Sequence, residues 1–326
     1  MDFLTEPFLI SPNKIDGRVL VTGAGGCIGA WVLAILDRSG VPVVAADLQD
    51  ERSRPALVMG ADRAAALNWQ VCDVTDFRAV SGLLDGNDIG AIIHLAGLQV
   101  PFCAANPALG ARVNVEGTIN IFEAARAGNI SRLAYASSVA ALAFPAGGPY
   151  RETLYGAYKV ANEQTAHVYW QDWQVPSVGL RPNVVYGVAR DQGMSSKNTI
   201  AIQAAAMGRP FDVPFTGPYS WLYAGEAAAA FIAAICQTGE GAHVFDLNGR
   251  TASVEAGLDI LRDLGAGESA ITCSGTPFPF PADLPETDLR RHVPEYPSIS
   301  VADGIAATYR AFRALADAGR LPPLPK

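Results

Sequence analysis

The chain has 326 residues, half of them apolar, with 24 Lys and Arg against 32 Asp and Glu and a formal charge of −8. That length can build a substantial core and a second lobe. An acidic chain is a poor match for phosphate backbones or anionic bilayers, so neither nucleic acid nor a membrane surface is an expected partner. Five cysteines (Cys27, Cys72, Cys103, Cys236 and Cys273) are odd in number and scattered, with no Cys-x-x-Cys pair and no grouping with the four histidines. They read as reduced packing residues of a cytoplasmic protein, and no metal site is expected.

Residues 1–16 carry Asp2 and Glu6 where an export signal would be basic, and read as an N-terminal arm. From Arg18 onward, short aliphatic runs alternate with segments of helical period. RVLVT, PVVAA, NWQVC, AIIHLA, RLAYAS and SVGLRP predict six strands; helices are predicted at Cys27–Arg38, Phe77–Leu84, Pro107–Ala127 and Leu154–Trp173. This order implies an α/β fold of Rossmann type, with a doubly wound parallel sheet. After Tyr186, Pro and Gly become frequent and helical patterns shorten. The apolar run from Ala224 to Cys236 contains Glu226 and falls short of the roughly 20 residues of a bilayer span. AHVFDLNG at 242–249 predicts a strand returning to the main sheet, whereas TPFPFPADLPETD at 276–288 cannot be a central strand.

In VLVTGAGGCIGAWVLAIL, Gly23, Gly26 and Gly29 stand between an apolar strand and an apolar helix. The turn must be tight, and the backbone must approach a pyrophosphate closely, with the amides at Cys27 and Ile28 facing the anion. An ordinary strand-to-helix turn would use the same glycines. The next apolar strand, however, ends in Asp47, near the offset at which a carboxylate meets an adenosine ribose and repels a 2′-phosphate. That favours NAD over NADP, although Arg52 and Arg54 just downstream are possible phosphate ligands. Asp73, with Val74 beside it, falls where an adenine edge would be read; a helix cap is the equal alternative. Residues 17–188 are thus read as an NAD-binding domain and 189–326 as a smaller, mainly substrate-binding lobe.

Tyr155 and Lys159, four apart in ETLYGAYKVANE, share one face of a predicted helix. A fixed ammonium beside a phenol favours the phenolate and makes it a proton acceptor. The pair follows the strand RLAYASS, which ends in Ser137 and Ser138. Together with TGAGGCIG, HLAG at 94–97, NVEGTINIFEAA at 114–125 and RPNVVYG at 181–187, these stretches resemble the short-chain dehydrogenase/reductase superfamily, in its extended epimerase/dehydratase branch, over about the first 190 residues. The resemblance implies that Ser138 binds the reacting oxygen, Tyr155 exchanges its proton, and Lys159 holds the nicotinamide ribose and lowers the tyrosine pKa. It implies that Asn114 supports a proton path from the lysine, with a helix-start cap as the competing role. It further implies that Leu95, Ala96 and Gly97 line the cofactor and that Pro182, Val184 and Val185 meet its nicotinamide side. Ser137 is read as structural.

Two departures from the branch narrow the activity. Dehydratases of this kind place an acidic pair after the catalytic hydroxyl residue, where this chain has Val139, Ala140 and Ala141. Sugar-nucleotide epimerases commonly carry a diphosphate-binding arginine where YSWLYAGEAAAA places Ser220, and the interval from Ser138 to Tyr155 is short for covering a nucleotide. The expectation is an NAD-dependent dehydrogenase of a small sugar, sugar acid or polyol, with Arg151 and Arg190 as candidate carboxylate ligands. An NAD-retaining epimerase and a non-catalytic NAD sensor are the alternatives. In the family, the helices near 107–127 and 154–173 pair across a two-fold axis, which implies a homodimer.

Overall fold

A computed structural model of the protein describes residues 1–144, 146–147, 151–237, 239–266, 270–284, 287, 289–293 and 296–325. Its strands are β1 (Arg18–Thr22), β2 (Val43–Asp47), β3 (Trp69–Val71), β4 (Ile89–His94), β5 (Leu133–Ala136), β6 (Ser177–Pro182), β7 (Val185–Tyr186), β8 (Phe211–Val213), β9 (Pro218–Tyr223), β10 (Ala242–Leu247), β11 (Arg250–Ser253) and β12 (Ile271–Cys273). Seven of them form a parallel sheet in the order β10-β6-β5-β4-β1-β2-β3. The order reverses between β1 and β4, the position where such sheets open a ligand crevice beyond their carboxyl ends.

The side-chain period of two decides the layers. Leu20, Val44, Ile92 and, from β5, Tyr135 point to one face, where Phe122 and Tyr169 cover them. Val19, Val21, Ala45 and Ile93 point to the other, into a larger cluster with Trp31, Ile35 and Phe231. Both faces being covered, the central strands are almost continuously aliphatic. Helix Ala224–Cys236 is buried from Ala224 to Ile235, and its alanines let it lie close against helix Cys27–Arg38. Trp31 donates from that second helix to the Val188 carbonyl at 2.9 Å, fixing the chain just after β7 to the core. At the N-terminus, Leu4 and Phe8 are buried, and Phe8 packs on Tyr223.

Beyond Tyr186, β10 returns to the main sheet and the other strands form two small sheets. β11 and β7 flank β9, antiparallel and parallel respectively, and β12 pairs with β8. The proline-rich segment forms an isolated bridge with Thr216 at Pro277; its residues Pro285, Glu286 and Asp288 lie outside the described residues. Among the described residues no helix is long and apolar enough to cross a membrane.

Three of the four expected helices have the expected bounds, and the fourth differs. The expected helix 107–127 consists of Pro107–Ala111, a π turn at Arg112–Glu116 and Gly117–Ala127, because the Gly117 amide reaches back five residues to the Arg112 carbonyl. Helices Ser53–Met59, Ala61–Ala66 and Val100–Ala105 went unread in the sequence; six or seven residues show too little of a 3.6-residue period.

Candidate active site

The ends of β1 and β4 touch where the glycine turn begins. Gly23 has φ of +69°, and a methyl group on it would lie 2.5 Å from the Ala96 amide nitrogen, so only glycine fits. A methyl on Gly29 would meet the Gly23 carbonyl at 2.3 Å, which explains why the helix can start so close to the strand. Gly26 precedes the helix, and Cys27 and Ile28 form its first residues. Burial pushes the Cys27 thiol up to about 11 despite Arg190 and Arg54 nearby, so the helix start carries no negative charge of its own. Asp47, ending β2, accepts from the Gly25 amide at 2.8 Å and from the Leu48 amide at 2.7 Å, which aims its carboxylate at the turn.

Both nearby arginines are engaged. Arg52 pairs with Asp50 and donates to the carbonyls of Ala64, Ala65 and Leu67. Arg54 donates to the Gly25 carbonyl at 3.0 Å and pairs with Asp191 at 2.9 Å, so the pair reaches from the glycine turn to the loop after β7. Asp73 is exposed and accepts from the Thr75 amide in a turn, while Asp76 caps the following helix. Val74 is buried, with its carbonyl accepting from Asn120. Leu95, Ala96 and Gly97 continue from β4; Pro182 ends β6, and Val184 and Val185 lead into β7.

Ser138 follows β5 and caps a short turn, accepting from the Ala140 amide at 3.2 Å. Thr153 caps the long helix Leu154–Trp173 by accepting from Gly156, which sets Tyr155 at its first turn. The Lys159 ammonium lies 5.4 Å from the centre of the Tyr155 ring and donates to the Ala136 carbonyl at 2.6 Å. Burial pushes the Tyr155 phenol up, against which the Ser138 hydroxyl and the Arg190 charge favour its ionised form. Burial also lowers Lys159 to about 8, with Cys103 and Glu163 pulling the other way. Ser138, Tyr155 and Lys159 thus share one corner, with Arg190 near enough to act on the phenol. Arg151 is exposed ahead of the helix and makes no hydrogen bond or ion pair among the described residues.

Asn114 sits inside the π turn, fully buried; the cap of that helical stretch is Asn106. Its amide nitrogen donates to the carbonyls of Gly110 at 3.0 Å and Leu98 at 3.2 Å and faces the Cys103 sulfur at 3.3 Å. Those acceptors fix the amide orientation. Asn114 Oδ1 has no partner among the described residues. A methyl on Gly97 would fall 2.7 Å from that oxygen and 3.6 Å from Lys159 Nζ, so both polar groups flank the bare Gly97 backbone.

Behind this corner runs a buried network that the sequence reading missed. Glu163, one turn beyond Lys159, accepts from Ser137 and takes two bonds from Arg181, at 2.8 and 2.7 Å. Register sets Asp246 of β10 beside Arg181, at 3.4 Å. The four-residue spacing from Lys159 to Glu163 was the one available signal. His94 bridges Thr22 at 2.7 Å and Thr118 at 3.1 Å. Because the Thr118 hydroxyl donates to the Asn114 carbonyl, His94 must donate from Nε2 and accept from Thr22 at Nδ1. Burial drives its pKa down to about 3.

Residues 19–248 match the NAD dependent epimerase/dehydratase family. The chain belongs to that family. It is 27% identical to a UDP-glucose 4-epimerase of Mycolicibacterium smegmatis over 316 residues, 91% of this chain and 98% of the relative. The structure of the Thermus thermophilus UDP-glucose 4-epimerase in complex with NAD superposes with a TM-score of 0.72 at 24% identity, covering 91% of this chain and 99% of that one. L-Threonine dehydrogenase from Clostridium difficile superposes with a TM-score of 0.76 at 18% identity, covering 94% and 100%. The family is one of enzymes, with both epimerases and dehydrogenases among these relatives, and its cofactor is NAD. The residues present suit that cofactor: a turn with no room for a Cβ at Gly23 or Gly29, an acid at the end of β2, both nearby arginines paired, and an unpartnered buried acceptor beside Lys159. Among the described residues no group of three or more His, Cys, Asp or Glu could hold a metal ion.

Proposed function

We propose that the protein is an NAD-dependent dehydrogenase acting on a carbinol or carbonyl carbon of a small polar substrate such as a sugar, sugar acid or polyol. The observation that carries this reading is the shared corner of Ser138, Tyr155 and Lys159 beside the glycine turn. Gly23, Gly26, Gly29 and the amides of Cys27 and Ile28 hold the cofactor pyrophosphate in this reading, and Asp47 its adenosine ribose. Leu95 to Gly97, Pro182, Val184 and Val185 line its nicotinamide end, and Asp73 and Val74 its adenine end. When bound, NAD supplies the hydride acceptor or donor.

Ser138 holds the reacting oxygen, and Tyr155 takes its proton during oxidation or returns it during reduction. Lys159 fixes the ribose, and Asn114 Oδ1 offers an acceptor for the proton's onward path. Val139, Ala140 and Ala141 put no acid next to Ser138, which speaks against elimination chemistry. Ser220 is spent within the fold, accepting from the Gly249 amide at 3.1 Å, so no arginine waits there for a diphosphate. The region after β7 supplies the substrate-binding lobe, and helices Pro107–Ala127 and Leu154–Trp173 are the proposed homodimer face, where Leu109, Val168 and Trp173 stand exposed.

Incubation with NAD and a panel of sugars, aldonic and uronic acids and polyols, followed by NADH absorbance, tests the reading; Tyr155→Phe is the control. A second reading has a specific support in the Arg54–Asp191 pair, which ties the glycine turn to the loop after β7. An enzyme that keeps NAD bound and re-reduces its own product would benefit from such a tie. Epimerised product without stoichiometric NADH decides for that alternative.

A further inference from the structure

The loop after β7 is held in an unusual shape. Gly187, Ala189 and Gly193 have φ of +129°, +73° and +89°; Ala189 adopts the left-handed region despite its Cβ. Val188 and Ala189 are buried, and Trp31 holds the Val188 carbonyl. The outcome of this constraint is the placement of Arg190. Its Nη2 donates to Ser195 Oγ at 2.9 Å, and its Nε is buried without a partner. A methyl on Gly193 would lie 3.5 Å from Arg190 Nη2 and 2.9 Å from Gln99 Oε1, so the guanidinium and Gln99 converge over that glycine. Gln99 itself lies two residues past Gly97, the residue beside Lys159.

Arg190 has no carboxylate partner among the described residues. The adjacent acid, Asp191, is taken by Arg54. Close by, Tyr219 donates to the Ser195 carbonyl at 2.9 Å. Asn198, 1% exposed, turns its amide nitrogen toward the Tyr219 hydroxyl, and its amide oxygen has no partner among the described residues. Buried polar groups are rarely left so. Unmet here are a cationic N–H donor and an amide acceptor. An oxyanion answers the first. The second needs a hydroxyl or N–H donor on the same ligand, which a fully ionised phosphate lacks. A carboxylate carried next to a hydroxyl supplies both.

We propose that Arg190 and Asn198 form a dock for the carboxylate and neighbouring hydroxyl of a small hydroxy acid, bound with its reacting carbon toward Tyr155. The proposal rests on reading the Tyr155 corner as a hydride-transfer site, and it selects the acids from the substrates named above. The guanidinium gives the paired N–H donors that carboxylates prefer, Asn198 takes the hydroxyl, and Gln99 borders the opening on the Lys159 side.

The test is equilibrium binding to the NADH complex of three matched pairs: glycolate and ethylene glycol, D-glycerate and glycerol, D-gluconate and D-glucitol. At least one acid is expected to bind tenfold or more tighter than its neutral partner. Arg190→Gln should remove that preference while leaving NADH affinity within twofold, and Asn198→Ala should weaken the same acid about fivefold. Equal binding within every pair by the wild type overturns the proposal, and needs no variant to fold. A tenfold loss of NADH affinity in Arg190→Gln, with acid preference retained, also overturns it, assigning the arginine to the cofactor phosphates. Acid preference without NADH formation from any acid and NAD upholds the dock and overturns the hydride-transfer reading instead.

Discussion

The two sides of the cleft are built on opposite terms. Around Tyr155, the charged and amide donors have partners within the chain: Lys159 on the Ala136 carbonyl, Ser137 on Glu163, Glu163 on Arg181, and Asn114 on Gly110 and Leu98. Around Arg190, a guanidinium nitrogen and the Asn198 amide oxygen are buried with none among the described residues. A preorganised side spends its polar groups on position, because chemistry tolerates little misplacement. The other side keeps its groups for a ligand, since a buried unpaired donor gains most from being matched. The contrast separates where bonds change from where the substrate is chosen.

The sharpest way to break the partnered side is at its reacting atom. Tyr155→Phe is expected to lower kcat/KM on the order of 10²–10⁴-fold, the usual span for a lost acid–base group, with NADH affinity unchanged in a fluorescence titration. Retained turnover would move the proton step elsewhere. Next comes the network behind it. Arg181→Met leaves the buried Glu163 side chain without its arginine partner, and urea unfolding should register a loss of about 3 kcal/mol.

Two pH effects come next, each small near neutral pH. His94 is buried neutral with its pKa lowered to about 3, so the unfolded chain binds the proton first as pH falls. Stability should fall between about pH 6.5 and 3 by up to about 1.4 kcal/mol per unit. His94→Gln, followed by denaturant midpoint against pH, should flatten that slope. Lys159 is lowered to about 8 in the cofactor-free protein, so it loses its charge above that pH. NAD affinity should then decline through an alkaline limb near pH 8. Glu163 raises the Lys159 pKa, and Glu163→Gln should therefore move the limb to lower pH, as read by affinity against pH. The smallest effect belongs to the tie across the cleft. Asp191→Ala removes a partly exposed ion pair of about 0–1 kcal/mol, and stopped-flow NADH release should speed up no more than a few-fold.

Legibility in the sequence follows how local each feature is. The sheet could be read because its strands, buried on both faces, are unbroken aliphatic runs. The glycine turn could be read because Gly23 answers a steric demand within its own turn and the facing β4 end. Tyr155 and Lys159 share a helix face, as a four-residue spacing dictates. Arg181, Asp246 and Asn198 gave no comparable signal. Arg181 meets Asp246 only through the pairing of β6 with β10, and Asn198 meets Tyr219 of β9, twenty-one residues on, only in the folded chain. Such meetings are set by tertiary register. The break at Arg112–Glu116 was equally hidden, since a π turn leaves the apolar period of the flanking helices almost intact.

That turn counts residues. A π turn is a helix holding one more residue than its hydrogen bonds need, so deleting one residue between Arg112 and Glu116 would leave a regular helix with sound local chemistry. Because the surplus residue is held within the bulge, the helix beyond it would stay nearly in place, and the change would fall on the residues of the turn itself. Asn114 and its carbonyl, which Thr118 and Asn162 both hold, would then lose their common alignment with Lys159. The surplus residue is thus what gives Asn114 its place, and its deletion would spare the helix while undoing the site.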